Sequence, residues 1–379
     1  MVSTRRIGIV NVPGVIEIQE VPMESLPASN ALVRIDMNGI CGTDVHYFYD
    51  PQIVASRSPL TLGHEWVGTI VDMGTDFPQR DMNGEPLAVG DRIVANVSSS
   101  HWLCGECYAC KVLQQPTLCI GSPNARPSTT PRLQGGIGDY MQIPAGAAVA
   151  RIPEGMPNET ATLSDPFAVA LQAIERAFVT GSDTQRWGMG LGKTVLIQGS
   201  GPIGIFSLIG ARMVGASKVI VIGAPKNRLD LCLEFGADRV INILETTDPA
   251  QRREQVLEMT PYRLGPDVVI ETAGVPAAFE EGISLVRRGG TFVEVGHFSH
   301  RGMATIDPYV LCYKHIHLYG SWVYTFGVWS ETCAVLRSTY EKVNYSKLVT
   351  HRFPLEQAQT ALETAHKQLS MKAAIEPFS

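Results

Sequence analysis

Cysteine, histidine and carboxylate side chains collect at two places in the first half of the chain, and their spacing points to metal chemistry. The segment Gly39-Ile40-Cys41-Gly42-Thr43-Asp44-Val45-His46 is followed by Gly63-His64-Glu65, which sets a thiolate, an imidazole and a carboxylate at predicted loop positions. Zinc takes these ligand types, and a catalytic zinc uses three protein ligands while keeping one position for water or substrate. Cys41 and His64 therefore need a third partner, for which Glu65 and Asp165 are the candidates. Cys104, Cys107, Cys110 and then Cys119 supply four thiolates, the number that closes a tetrahedral structural zinc. Four clustered cysteines exceed what a redox-active C-x-x-C pair requires. Cys232, Cys312 and Cys333 stand alone and read as buried thiols.

A second chemistry is carried by glycine. Gly199, Gly201 and Gly204 form a G-x-G-x-x-G, with Pro202 and Ile203 inside it, directly after the apolar run Thr194 to Gln198 and at the start of a predicted helix from Ile203 to Val214. Such a turn lets backbone N–H groups approach a pyrophosphate, which sits at the positive end of the helix. The bare pattern also marks ordinary tight turns, so its place between strand and helix gives it weight. In an NAD site the next strand ends near a carboxylate that accepts hydrogen bonds from the adenosine ribose. Here that position holds Gly223, and Lys226, Asn227 and Arg228 lie close by as partners for a 2′-phosphate. NAD and NADP both stay open, and relaxed specificity is the expectation.

These residues need a scaffold. A chain of 379 residues exceeds what one hydrophobic core usually organises, so two domains are expected. The first part carries short β-type runs, Ala31 to Ile35, Val67 to Val71, Arg92 to Val97 and Tyr140 to Ile143, separated by Gly, Pro and Asp clusters. From about Glu159 the texture changes to a predicted helix from Ala168 to Phe178. Apolar strands then alternate with amphipathic helices: Thr194 to Gln198, Lys218 to Ile222, Asp267 to Glu271 and Thr291 to Val295. That pattern predicts a doubly wound parallel sheet. Ala273 and Gly296 follow the last two strands at the carboxyl edge, where such folds bind ligands, and are expected to line a nicotinamide. The predicted domains are residues 1–160, 161–304, and a return of 305–379 to the first, ending in a helix from Leu355 to Gln368 and a strand near Ala373.

Composition excludes other classes. Net charge is −6, with Lys and Arg dispersed, so no basic stripe suits a nucleic-acid backbone. The most apolar region, Thr194 to Val214, is broken by Gln198, Ser200, Pro202 and four glycines, which fits a strand, turn and helix better than a membrane span. No apolar run of signal-peptide length follows Arg5 and Arg6, and the clustered cysteines suit a reducing compartment, so a cytoplasmic location is expected.

With both motifs and the nucleotide turn in one chain, the sequence resembles the zinc-dependent medium-chain dehydrogenase/reductase superfamily over nearly its whole length. The G-I-C-G-T-D-V-H-Y segment is most similar to the sorbitol and polyol dehydrogenase branch, and Ser164-Asp165-Pro166-Phe167 resembles the threonine dehydrogenase branch. The resemblance implies a Rossmann domain beside a GroES-like, mainly-β catalytic domain. It implies hydride transfer between a primary or secondary alcohol, polyol-like favoured, and NAD(P), giving the aldehyde or ketone. It makes Asp165 the third ligand beside Cys41 and His64, with Glu65 an exchanging or neighbouring carboxylate. It gives the four-cysteine lobe one more residue between Cys110 and Cys119 than the commonest family spacing. It makes Thr43 the hydroxyl that contacts the substrate oxygen and His46 the residue that passes the proton to solvent through the cofactor ribose. A homodimer or homotetramer is implied, with Ile316 to Tyr319 a candidate subunit contact. Tyr47, Phe48, Trp66, Trp102 and Trp322 are candidates for shaping a pocket and equally for core packing. An amino alcohol or simple secondary alcohol is the alternative substrate. A zinc-free reductase, or a non-catalytic nucleotide-binding protein, would be expected to lack the zinc ligands or Thr43 and His46.

Overall fold

The structure is a computed structural model that describes residues 3–96, 107–113, 115–119, 133–178 and 188–379. Cys104 and Trp102 lie outside the described residues. The chain divides into two compact units, Met1–Asp165 with Thr325–Ser379, and Pro166–Tyr324.

The second unit is built on six parallel strands, Thr194–Gln198, Lys218–Gly223, Arg239–Asn242, Val268–Glu271, Thr291–Glu294 and His317–Gly320. Numbered in chain order they lie side by side as 3-2-1-4-5-6, every pairing parallel. This order places the reversal between the first and fourth strands, the point at which doubly wound folds bind ligands. Val195, Leu196, Ile197, Val269 and Phe292 are wholly buried, which is why these strands read as continuous apolar runs rather than alternating ones. The unit runs on to Tyr324, beyond the boundary predicted at 304, because His317–Gly320 pairs with Thr291–Glu294 as an edge strand. The opposite edge, Arg239–Asn242, has little sequence signal: of its four residues Ile241 alone is buried.

The first unit is mainly β. Strand Asn30–Gly39 lies at its centre, hydrogen-bonded to Glu65–Met73, Tyr140–Pro144 and Lys372–Glu376. The predicted final helix is a short 3-10 turn, Leu355–Gln357, leading into a helix, Ala358–His366. Ala358, Ala361 and Leu362 pack it into a core shared with Phe48, Leu62 and Ile375. The end of the chain thereby becomes structural support for the region around Cys41. One local expectation is corrected: Glu65, expected on a loop, opens strand Glu65–Met73, while Thr43 and His46 sit on a helix, Gly42–Tyr49, for which Cys41 serves as N-cap and Asp44 accepts a hydrogen bond from the Cys41 N–H at 2.9 Å.

Candidate active-site residues

Three neighbouring strand ends assemble the first cluster. Gly39 closes its strand opposite Glu65 on one side and Ala374 on the other, so Cys41, Glu65 and Lys372 converge from distant parts of the sequence. A Cβ on Gly39 would lie 2.6 Å from Glu65 Oε2 and 3.4 Å from Lys372 Cδ, so glycine is what leaves room for the pair. Cys41 Sγ, a His64 ring nitrogen and a Glu65 carboxylate oxygen lie within 4.8 Å of one another. This donor set, one sulfur, one nitrogen and one oxygen, half-buried apart from the buried Glu65, suits zinc with a position left open.

Two buried charged residues hold that set, and neither was singled out from the sequence. Asp44 accepts from Cys41 N and, at 3.0 Å, from Gly63 N, and its Oδ1 stands 3.4 Å from His64 Nδ1. One carboxylate thus ties the helix start to the loop carrying His64 and leaves Nε2 for a metal. Burial opposes charge on the His64 ring, but Asp44 and Cys41 outweigh it and hold its pKa well above the histidine norm. Burial also opposes charge on Asp44; His64 and the two backbone N–H groups outweigh it and lower its pKa.

Lys372 donates to Glu65 and, at 3.1 Å, to the Ile40 carbonyl. Burial would discharge this ammonium, but Glu65, Cys41 and Asp165 raise its pKa. Breaking a buried ion pair of this kind by removing one partner costs about 3–5 kcal/mol. Asp165, 5% exposed, is the second residue of helix Ser164–Arg176. Thr43 and His46 are three residues apart and share a face of their helix. His46 Nε2 lies 3.9 Å from Asp50 Oδ2. The position of Asp44, three residues past the N-cap, was a readable signal; nothing local could have drawn Lys372 to Cys41.

The second cluster is all sulfur. Cys107 Sγ lies 3.5 Å from Cys110 Sγ and 3.9 Å from Cys119 Sγ, with Cys107 at the start of helix Tyr108–Lys111 and Cys119 just past the 3-10 turn Pro116–Leu118. Of the lone cysteines, Cys232 and Cys333 are buried as expected, and burial pushes both thiols up to about 12; Cys312 is exposed. Phe48 and Trp66 belong to cores, Arg57 covers Tyr47 at 4.9 Å, and Trp322 stacks on Phe298 at 4.3 Å.

In the second unit the glycine turn joins strand Thr194–Gln198 to helix Pro202–Met213. Gly199 has φ +107, a left-handed conformation that favours glycine, and a Cβ on Gly204 would strike the Gly199 carbonyl oxygen at 2.0 Å, so helix Pro202–Met213 starts tight against the strand. In front of Gly201 the space is open as far as an Arg228 guanidinium nitrogen 4.0 Å from its Cβ position. Gly223 ends its strand where a Cβ would meet Ser200 Oγ at 2.7 Å. Lys226 points to solvent and bonds Asp230 at 2.7 Å. Ala273 and Gly296 follow their strands at the carboxyl edge, as expected.

A doubly wound nucleotide-type sheet, joined in one chain to a β unit presenting a zinc-type donor set, defines a two-domain metal-dependent oxidoreductase. Residues 27–154 match the alcohol dehydrogenase GroES-like domain and residues 202–338 the zinc-binding dehydrogenase family. Sorbitol dehydrogenase of Rattus norvegicus is 31% identical over 375 residues, covering 97% of this chain and 94% of the rat protein. The 5-exo-hydroxycamphor dehydrogenase of Pseudomonas putida is 29% identical over 366 residues, 95% of each chain. The crystal structure of an alcohol dehydrogenase from Thermotoga maritima matches with a TM-score of 0.85 and 31% identity, over 98% of this chain and 99% of that one. The chain belongs to the zinc-dependent alcohol dehydrogenases of the medium-chain dehydrogenase/reductase superfamily. It is an oxidoreductase of alcohols that uses zinc and a nicotinamide dinucleotide. Among the described residues no helix is long and apolar enough to cross a membrane.

Proposed function

We propose that this enzyme oxidises a polyol or a related secondary alcohol, with Cys41, His64 and either Glu65 or Asp165 holding the catalytic zinc. The observation that carries the reading is the convergence of Cys41, His64 and Glu65 within 4.8 Å. Zinc, when bound there, supplies Lewis-acid stabilisation of negative charge on the substrate oxygen. The protein's own groups do the rest. The Thr43 hydroxyl would take the substrate hydroxyl proton as it passes its own toward His46, which lies one turn along the same helix and 3.9 Å from Asp50, and a bound nicotinamide would supply the hydride acceptor. Lys372 offsets the negative charge that Glu65, Asp165 and Cys41 bring together, holding Glu65 in place whichever carboxylate binds the metal. The thiolates of Cys104, Cys107, Cys110 and Cys119 hold a structural zinc.

Gly199, Gly201, Pro202, Ile203 and Gly204 receive the pyrophosphate, and Ala273 and Gly296 the nicotinamide. With no carboxylate at Gly223 and with Arg228 beside Gly201, the turn accepts NADP as well as NAD; Lys226, bonded to Asp230, plays the lesser part. The edge strand His317–Gly320 and the exposed Tyr309 and Tyr313 support self-association into a dimer or tetramer. A cytoplasmic location agrees with the clustered thiols. The polyol preference rests on sorbitol dehydrogenase relatives, while likeness to a hydroxycamphor dehydrogenase keeps a compact secondary alcohol as the second reading.

The test is the rate of NAD and NADP reduction with polyols, diols, amino alcohols and cyclic secondary alcohols. Polyols leading with both cofactors active is the expected result. Inertness of every alcohol in metal-replete protein would overturn the reading.

A further inference from the structure

The carboxyl edge of the parallel sheet holds titratable side chains that neither the glycine turn nor the metal residues use. Gln198, Glu271 and Glu294 end three adjacent parallel strands and stand in register, so the backbone sends their side chains to one face. Two carboxyl groups are thereby set side by side. Glu271 is fully buried, and its Oε1 accepts from Ala273 N at 2.7 Å and Gly274 N at 2.9 Å. Glu294 Oε1 accepts from His297 N at 3.0 Å and lies 3.0 Å from His297 Nδ1, which stands 3.7 Å from Glu271 Oε2. Glu294 Oε2 is shielded from solvent and meets no hydrogen-bond donor among the described residues.

We propose that Glu271 and Glu294 share one proton, and that this carboxyl pair positions the two turns, 272–274 and 295–297, that carry Ala273 and Gly296. The O–H of a neutral Glu271 supplies the donor that Glu294 Oε2 lacks, while His297 Nδ1–H donates to the other Glu294 oxygen. Both turns abut the pair: a Cβ on Gly274 would come 2.2 Å from the Gly296 carbonyl oxygen, and one on Gly296 2.4 Å from Glu271 Oε2. Ionising both carboxyl groups therefore strains the two backbones at their point of contact.

Among the described residues, the titratable groups facing Glu271 are Glu294 from the next strand and His297 from the loop after it. The strand on the other side offers the neutral Gln198 amide, and the turn leading to helix Pro276–Leu285 offers the N–H groups of Ala273 and Gly274. Burial, then repulsion from Glu294, pushes the Glu271 carboxyl up to about 8 against the pull of those two N–H groups. A carboxyl raised in this way binds more proton folded than unfolded. The stability it contributes therefore falls as pH rises from the ordinary carboxylate range through the raised value, whereas the positioning in the folded protein is intact while the proton is held and is lost as pH rises through about 8.

The consequence for the cofactor rests on reading this edge as the nicotinamide site; the shared proton itself does not. Isotope-edited infrared spectroscopy of the zinc-replete full chain is expected to show one neutral glutamate carboxyl at neutral pH. That band is expected to fade as pH rises through about 8 and to be missing in Glu271→Gln, whose amide copies the protonated acid. In Glu294→Gln the fading moves to lower pH, because the repelling charge is gone. NADH and NADPH affinity, read by fluorescence, is expected to fall about tenfold or more over the same interval, a break that Glu271→Gln abolishes. No neutral carboxyl, a band that survives Glu271→Gln, or a midpoint unmoved by Glu294→Gln overturns the shared proton. The same affinity break in Glu271→Gln overturns the positioning role. A normal band with no dinucleotide bound at any pH overturns the cofactor reading and that role together, whereas normal binding without the band overturns the pair alone.

Discussion

The two cysteine-bearing clusters of the first unit use the same thiolate chemistry and are held in opposite ways. Cys107, Cys110 and Cys119 sit on two short helical turns and lie within a few ångströms of one another through local backbone geometry. Cys41 follows the end of one strand while His64 and Glu65 stand at the start of another, and each is fixed by a buried charged partner, Asp44 or Lys372. An all-sulfur set has its coordination closed by the protein and contributes folding energy. A mixed set held by distant charged residues keeps a position for substrate, and its tuning is spread across the whole unit.

Exchanging one thiolate in each cluster gives the largest separation. Cys41→Ser is expected to lower turnover by about 10³-fold or more, as the loss of several kcal/mol of charge stabilisation requires, with the melting temperature nearly unchanged. Cys107→Ser is expected to lower the melting temperature steeply instead. Calorimetry and initial rates on both variants check this, and equal unfolding in the two would erase the distinction.

Lys372→Met leaves Glu65 buried without its partner, and a loss of about 3–5 kcal/mol in stability is expected by chemical denaturation. Lys372→Arg should recover most of it, since a cation is restored. An unchanged denaturation midpoint in Lys372→Met would mean that Glu65 is neutralised by other means.

The smallest effect is on metal affinity. A His64 pKa raised by Asp44 and Cys41 means that protons compete with zinc, so zinc binding is expected to release a proton and to weaken as pH falls through that raised value. Asp44→Asn is expected to cost about 10–100-fold in zinc affinity at high pH, where protons no longer compete, and to move the break to lower pH. Competition titration with a chelating dye over a pH series reads both, and a break unmoved by Asp44→Asn would remove Asp44 from the account.

What the sequence made legible follows the same division between local and distant. The glycine turn and its flanking strand and helix were readable because Gly199, Gly201 and Gly204 act within a few residues of one another. The cysteine lobe was readable for the same reason. Asp44 is harder to read, since the helix Gly42–Tyr49 is short and resembles a loop until its cap is seen. Lys372 was not readable, because its role depends on strand Lys372–Glu376 pairing with the end of Asn30–Gly39, far away in the chain. Ile316 to Tyr319 reads from the sequence as an apolar strand and candidate subunit contact, whereas the place of His317–Gly320 in the parallel sheet rests on tertiary pairing.

The most direct test of the central claim is to follow zinc content and alcohol-dependent NAD(P) reduction together while a chelator strips the holoenzyme. The account predicts two zinc ions per chain, with activity disappearing as the first is lost and the fold persisting until the second goes. Activity that outlives the first zinc, or that falls only as the protein unfolds, would contradict it.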